Sequence, residues 1–153
     1  MRIGNTPLKH ATLFIYFPSI LMSLGQGMLI PALPVLGETF AVSGAVAVQA
    51  LTAQLLGRGI TLLPAGGALD RWGPKPVMIA GAAAATLSGV AAATAPNFFV
   101  ILISQFTWGA GTSIWMFGRE IAAFDMVKAD QRGRQMSALM GIGSTGMAFG
   151  PAV

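Results

Sequence analysis

Long apolar blocks separated by short polar turns make up almost the whole of this 153-residue chain. Each block reaches the roughly 20 residues that an α-helix needs to cross the hydrocarbon core of a bilayer. The pattern therefore predicts an all-α integral membrane protein with five transmembrane helices and no separate soluble domain within residues 1–153. The expected spans are approximately 11–37, 46–69, 77–95, 98–118 and 135–153.

Composition agrees with this interpretation, because 54% of the residues are hydrophobic and only 9% are charged, whereas soluble domains are about 25% charged. The net charge is +4, but the basic residues lie in short turns and form no basic surface, so the lipid bilayer is expected as a partner and nucleic acid is not. The first apolar run continues from Ala11 to about Leu36. It is too long for the core of a cleaved signal peptide and is expected to be retained as the first helix.

The distribution of lysine and arginine predicts the orientation of the chain. The loops around Glu38 and Asn97 carry neither residue, whereas every basic residue except Arg58 lies before span one or in the alternate loops. Short cytoplasmic loops are the ones enriched in basic residues. We therefore expect a multi-pass protein of the plasma or inner cell membrane with a cytoplasmic N-terminus. The basic residues on the predicted cytoplasmic side are Arg2, Lys9, Arg71, Lys75, Arg119, Lys128, Arg132 and Arg134.

The sequence offers no set of residues for catalysis. It has one histidine, no cysteine and no carboxylate pair within the predicted spans, which leaves no arrangement for metal or nucleophile chemistry. The glycines from Gly141 to Gly146 match G-x-G-x-x-G, but a polar loop precedes them where a dinucleotide site requires a strand. They are interpreted as packing positions, and neither an enzyme activity nor a metal or cofactor is expected.

The loop between spans two and three reads GGALDRWGPK and has a specific pattern. Gly66 allows a close helix approach, Gly73 permits a tight turn, and Asp70 can accept hydrogen bonds from a helix N-terminus or an arginine. The loop resembles the cytoplasmic signature G-x-L-a-D-r-x-G-r-k of the major facilitator superfamily, although Ala68 and Pro74 depart from it. The matching residues, which the resemblance implicates in a conformational switch, are Gly66, Asp70, Arg71, Gly73 and Lys75.

The connection after span four resembles drug-exporter-like members of the same superfamily. Arg119, Asp125 and the triplet ending at Arg134 match the pattern R-x-x-x-i-a-D followed by R-G-r. The resemblance implies that Arg119 or Arg134 is a charge partner of Asp70. The alternative interpretation is a solvated loop that only sets the membrane topology.

Span five contains a second exporter-like feature. Gly146, Gly150 and Pro151 are similar to the start of the antiporter motif G-x-x-x-G-P-x-x-G-G. A closely packed helix with a proline-induced bend suits an interface that rocks during transport. The alternative interpretation is that these small residues only form a surface for helix packing.

Arg58 is the most unusual single residue, because it lies inside span two. It precedes Asp70 by twelve residues, which corresponds to roughly 18 Å along a helix and places it near the middle of a ~30 Å core. An arginine at that depth is unfavourable by at least ~2.5 kcal/mol. We expect Arg58 to line a central cavity and meet an anionic substrate group or a carboxylate of a missing half. A structural pair or a snorkelling side chain is the alternative.

Other polar or aromatic residues inside the spans are weaker candidates for the substrate cavity: Gln26, Gln54, Gln105 and Trp108. Hydrogen bonding between helices explains the glutamines equally well, and Trp108 is also suited to packing. In exporters of the superfamily an arginine associated with proton handling stands in the position of Gln105. The resemblance therefore does not imply proton coupling through this helix.

The resemblance implies a secondary transporter that works by alternating access, with twelve helices in two six-helix halves and a substrate site between them. This chain would supply the first five helices of the N-terminal half. The activity that the resemblance implies for the whole carrier is proton-coupled efflux of small hydrophobic or drug-like molecules, as in multidrug resistance antiporters. The chain is expected to be inactive without the missing C-terminal half or another copy. The alternatives are an importer-type facilitator for a small organic anion or sugar, and a stand-alone membrane interaction protein.

Overall fold

The computed structural model describes residues 8–126 and the single positions 133, 137, 140, 141 and 144. Within this part every regular element is an α-helix, which confirms the predicted all-α class. The predicted fifth span, 135–153, lies outside the described residues except at four of those single positions. The helices are α1 (Leu8–Gly27), α2 (Leu29–Thr39), α3 (Gly44–Ala47), α4 (Gln49–Trp72), α5 (Pro74–Ala93) and α6 (Phe98–Met126).

The helices belong to two compact units. The first unit contains α1 and the first two residues of α2, and the second runs from Pro31 to Met126. Among the described helices, three stretches are long and apolar enough to cross a membrane: Gly44–Trp72, Pro74–Ala93 and Phe98–Ala122. A fourth span results if α1 and α2 are counted together as one broken span. These lengths and compositions agree with a multi-pass membrane fold.

The first predicted span differs from the single helix expected over 11–37, because it is broken at Met28. A continuous helix would require the N–H of Pro31 to bond the carbonyl of Gly27, and proline has no N–H. Pro31 lies instead in the first turn of α2, where a missing donor is harmless. The break corrects the expectation of one continuous helix over 11–37.

The second predicted span, expected at 46–69, also has different bounds. It begins with the four-residue helix α3, and Ser43 caps that helix by accepting a hydrogen bond from the N–H of Val46 (3.4 Å). The long helix α4 then continues to Trp72. The signature predicted as a turn from Gly66 onward is therefore helical in its first half, and Gly73 alone separates α4 from α5.

Helices α5 and α6 form an antiparallel hairpin that is held together by small residues. Asn97 starts α6 by accepting a hydrogen bond from the N–H of Val100 (3.1 Å). A Cβ atom on Gly81 of α5 would lie only 2.7 Å from the carbonyl oxygen of Gly111 of α6. The two backbones are thus in direct contact, which is how small residues promote association of helices in lipid.

Helix α6 also packs closely against α4, so it is the central element of the second unit. A methyl group on Gly57 of α4 would overlap the carbonyl of Phe106, and one on Gly109 of α6 would overlap the carbonyl of Gln54. These glycines allow the two backbones to cross without intervening side chains. The carbonyl of Arg58 accepts a hydrogen bond from the hydroxyl of Ser113 (3.4 Å) at the same crossing.

The connections of the second unit lie at two opposite ends. The rings of Phe40, just after α2, and Phe98, at the start of α6, are 6.1 Å apart. This contact brings the turn after α2 and the turn between α5 and α6 to one end. The opposite end contains Gly73 and the part of α6 around Gly118, whose Cβ position is 3.3 Å from the carbonyl oxygen of Pro74.

Candidate functional site

The junction between α4 and α5 is a single glycine in a conformation that other residues avoid. Gly73 has φ 79° and ψ 171°, and its N–H donates to the carbonyl of Leu69 (2.9 Å). Pro74 then begins α5 with a φ suited to a first helical position. The chain reverses direction within one residue, so the charged residues on both sides of Gly73 are brought to the same end of the bundle.

Asp70 lies on the last turn of α4 and is exposed. A helix C-terminus carries partial negative charge, so a carboxylate there is unfavourable by roughly 0.3–1 kcal/mol unless a cation or donor compensates. Arg71 follows it, with its guanidinium carbon 6.0 Å from the centre of the Trp72 ring, and Trp72 is 64% exposed. Lys75, on the first turn of α5, is also exposed.

An apolar groove of about 370 Å³ begins beside this junction and follows α4. One wall is the α4 segment from Thr61 to Trp72, and Ile114 of α6 contributes to the other. Gly66 is exposed on the same part of α4, and no atom lies within 4 Å of the position that its Cβ would occupy. The C-terminal half of α4 therefore presents a small-residue surface around Gly66 that another helix could approach closely.

Arg119 was expected in a polar loop, but it lies inside α6 and is only 6% exposed. Its guanidinium carbon is 5.3 Å from the centre of the Trp115 ring, and its Nη2 atom is 3.9 Å from Glu120 Oε1. The solvated-loop interpretation is therefore wrong for Arg119, because α6 continues to Met126 and buries it. Within the described part of the chain, no ion pair joins Arg119 to Asp70.

Of the other candidate charge partners and motif residues after span four, only Asp125 belongs to the described part of the chain. Asp125 lies in the last turn of α6. Arg134 and the antiporter-like residues Gly146, Gly150 and Pro151 lie outside the described residues. Their proposed roles, including Arg134 as a partner of Asp70, therefore stay predictions.

Arg58 lies in α4 at the crossing with α6 and is half-buried. Gln54, one helical turn earlier, is 3% exposed. Its Nε2 atom is buried and has no hydrogen-bond acceptor within the described part of the chain. Residues four apart on a helix are neighbours on one face, so these two polar side chains lie on the same side of α4.

The other three candidates lie on α1 and α6. Gln26 is half-buried in α1. Gln105 is half-buried on α6. Trp108 lies over Gly89 of α5, with Cζ3 3.7 Å from the position that a Cβ on this glycine would occupy, so the structure supports a packing role for this tryptophan.

Comparison with known proteins decides the family. The family model described as Major Facilitator Superfamily matches residues 15–153. The chain belongs to this superfamily. Its members are membrane transporters and not enzymes, so the chain is part of a family of multi-pass transporters. The match covers most of α1 and all of the helices from α2 to α6, including the α4–α5 junction.

Relatives within the superfamily include the quinolone resistance protein NorA of Staphylococcus aureus. The proteins of strains Mu50 and N315 are each 27% identical to this chain over 140 residues. The alignment covers 91% of this chain but 36% of NorA. This major facilitator chain therefore spans little more than a third of the length of the curated relatives that it matches.

The residues that hold the major facilitator helices together were not predicted individually from the sequence. They are the glycines that make backbone contacts between helices, namely Gly57, Gly81 and Gly109. The abundance of glycine and alanine predicted close packing in general. Which glycine meets which backbone depends on the crossing points of the helices, and one sequence does not contain that information.

Proposed function

We propose that this chain supplies the first five helices of an exporter that moves small hydrophobic or drug-like molecules out of the cell in exchange for protons. Membership of the Major Facilitator Superfamily supports transport by alternating access. Similarity to a quinolone resistance protein supports export as the direction. The activity belongs to a carrier that contains this chain together with the second half of the fold, supplied by the same polypeptide or by another.

The α4–α5 junction is the observation that carries the proposal. Asp70 is in the last turn of α4, where the helix dipole disfavours a carboxylate. A conformation that brings a cation or a helix N-terminus to Asp70 is stabilised relative to one that leaves it exposed. A conformational switch in a transporter requires an interaction that stabilises one conformation more than the other. An interaction of equal strength in both conformations would not change their relative populations.

Arg119 and Arg134 are the proposed partners of Asp70 in the second conformation. Arg119 is held by Trp115 and Glu120 in the conformation described here. Its guanidinium lies on the element that packs against both α4 and α5. A movement of the inner end of α6 relative to α4 would exchange these contacts for an ion pair with Asp70.

The orientation of the carrier follows from the same charges. The junction with Arg71 and Lys75 is proposed to face the cytoplasm, and the turns near Glu38 and Asn97 to face outward. The N-terminus is then cytoplasmic and the protein lies in the plasma or inner cell membrane. Proton coupling is proposed to depend on helices beyond this chain, since Glu38, Asp70 and Glu120 all lie near helix ends.

The proposal is tested by expressing the complete reading frame that contains this chain in bacteria that lack their own efflux pumps. Cells loaded with norfloxacin or ethidium should lose the compound faster than cells without the gene, and a protonophore should abolish the difference. Asp70→Asn should lower the export rate roughly 5- to 150-fold at equal membrane level, the range expected for 1–3 kcal/mol of coupling. Gly59→Ala is the control, because Gly59 is exposed on α4 with open space around it.

Two results would contradict the proposal in different ways. Accumulation of a probe in energised cells, faster than in cells without the gene, would assign import instead of export. If the Asp70→Asn variant exports at the wild-type rate, Asp70 at the α4–α5 junction does not take part in the conformational switch, whatever the substrate is.

A further inference from the structure

We propose that a groove between α2 and α3 binds an apolar organic cation, with the carboxylate of Glu38 as its counter-ion. The inference rests on the proposed function and extends it, because it names the charge of the exported molecule and a place where that molecule binds. The groove belongs to the end of the second unit that is proposed to face outward.

The groove forms where the chain reverses after α2. The N–H of Val42 donates to the carbonyl of Gly37 (3.0 Å), and the N–H of Ala41 donates to the carbonyl of Glu38 (3.3 Å). Ala41 has a φ of 50°, so the reversal has the backbone pattern of a Schellman motif, in which a residue in the left-handed conformation ends a helix. These two hydrogen bonds fix the backbone of Glu38 relative to the segment that leads into α3.

Glu38 gives the groove a negative charge. It lines the groove and is exposed. It lies in the last turn of α2, where the partial negative charge of the helix C-terminus adds to that of the carboxylate. No lysine or arginine occurs in residues 10–57 or 76–118, so neither connection at this end of the second unit supplies a cation. A positively charged ligand is therefore attracted to the groove, and an anionic one is repelled.

The rest of the groove is apolar. Its walls are formed by Leu33 and Pro34 of α2, by Val42, and by Ala47 and Val48 at the end of α3. The groove has a volume of about 600 Å³, which lies within the roughly 300–1,000 Å³ of pockets that hold drug-sized molecules. A ligand that fills it must therefore be mostly apolar apart from its charge.

The chemistry of the groove favours an organic cation over other ligands. A metal ion requires several oxygen ligands, and no group of three acidic or histidine side chains in the described part of the chain could hold one. A sugar would lose its hydrogen bonds to water against apolar walls. A cation with a large apolar body fits both the carboxylate and the walls. Because Glu38 is exposed, solvent screens this ion pair and the ligand is held weakly, as a site on a route out of the cell requires.

The experiment compares two ions of nearly the same size and shape but opposite charge, tetraphenylphosphonium and tetraphenylborate. The complete carrier is placed in phosphatidylcholine nanodiscs, and the dissociation constant of each ion is measured by equilibrium dialysis at low salt, with binding to empty nanodiscs subtracted. Glu38→Gln should raise the dissociation constant of tetraphenylphosphonium about 2- to 5-fold, the loss expected for an ion pair that is open to solvent. The dissociation constant of tetraphenylborate should not rise. An unchanged thermal unfolding midpoint shows that the variant is folded.

Three further variants separate the charge from the apolar walls. Glu38→Asp keeps the charge and should retain most of the affinity for tetraphenylphosphonium. Val48, which is 46% exposed, is part of the wall, and Val48→Ala should weaken binding by up to about 4-fold for each methylene-sized group that the ligand covers. The effect of Glu38→Gln should shrink at about 1 M salt, where the screening length is ~3 Å, whereas the effect of Val48→Ala should not. Gly59→Ala, outside the groove and in open space, should leave binding unchanged.

Other outcomes overturn the inference and separate it from the proposed function. If Glu38→Gln and the wild type bind tetraphenylphosphonium equally well, Glu38 is not the counter-ion of a cation, and the exporter is unaffected. If a wild type that exports ethidium binds neither ion above the level of empty nanodiscs, another helix of the carrier covers the groove and the site is rejected. If binding depends on Glu38 as expected but the carrier exports neither norfloxacin nor ethidium, the exporter is rejected and the cation site remains.

Discussion

At the scale of single residues, the junction at Gly73 depends on one backbone conformation. Its φ of 79° with ψ of 171° belongs to a region that glycine occupies almost alone. The reversal between α4 and α5 occurs at this residue, so the placement of Asp70 and Lys75 follows from it. Gly66 and Gly67 have a different role, since they are helical and no atom lies within 4 Å of their Cβ positions.

We predict that Gly73→Ala lowers the free energy of unfolding by about 1–3 kcal/mol, because alanine must adopt a strained backbone conformation there. The thermal unfolding midpoint of the purified protein in detergent measures this effect. Gly67→Ala is the control, and it should be neutral or stabilising by up to ~1 kcal/mol because alanine favours a helix over glycine. Equal midpoints for the two variants would show that the junction tolerates a side chain.

At the scale of elements, α6 organises the second unit because it meets both neighbouring helices through glycines. Gly109 faces α4, and Gly111 faces α5, on different sides of the same helix. Buried hydroxyl groups add local hydrogen bonds, such as the one from Thr112 to the carbonyl of Trp108 (2.8 Å). With little apolar driving force between helices in lipid, this close contact is the principal source of association.

We predict that Gly109→Ala destabilises the bundle by about 1–3 kcal/mol, the usual effect of overpacking a close contact. The new methyl group would overlap the carbonyl of Gln54, which belongs to a helix backbone and cannot move aside by itself. Gly59→Ala makes the same chemical change where there is open space. Thermal unfolding in one detergent should distinguish the two variants, and a midpoint for Gly109→Ala at or above that of Gly59→Ala would contradict the described α4–α6 crossing.

At the scale of the whole molecule, the proposed function requires that the two ends of the second unit face opposite sides of a membrane. The ring contact between Phe40 and Phe98 brings two connections without lysine or arginine to one end. The connection with Arg71 and Lys75 is at the other end. This separation of charge is the pattern expected when basic connections remain in the cytoplasm.

We predict that single cysteines in place of Glu38 and Asn97 react with an impermeant maleimide added to intact cells. A cysteine in place of Trp72, which is 64% exposed, should react only after the cells are opened. The chain has no cysteine of its own, so each signal comes from one site, and the unsubstituted chain is the negative control. If the cysteine at position 72 is labelled in intact cells and the cysteines at positions 38 and 97 are not, the chain has the opposite orientation.

The sequence by itself determined the all-α membrane class and the position of the charged connection between α4 and α5. Hydropathy and the spacing of basic residues are enough for this, because each depends on one segment and its nearest turn. The same local information located Arg58 inside a span. It did not locate the break at Met28 or the burial of Arg119, because both depend on where helices end and on what covers them.

Only the tertiary structure decided which residues meet. The contacts of Gly57 with Phe106, of Gly81 with Gly111 and of Arg58 with Ser113 join residues on separate helices. In an apolar chain many glycines and alanines are equivalent candidates for a crossing, so the hydrophobic pattern does not select among them. Steric fit between whole helices makes that selection, and it fixes the surroundings of the intramembrane charge.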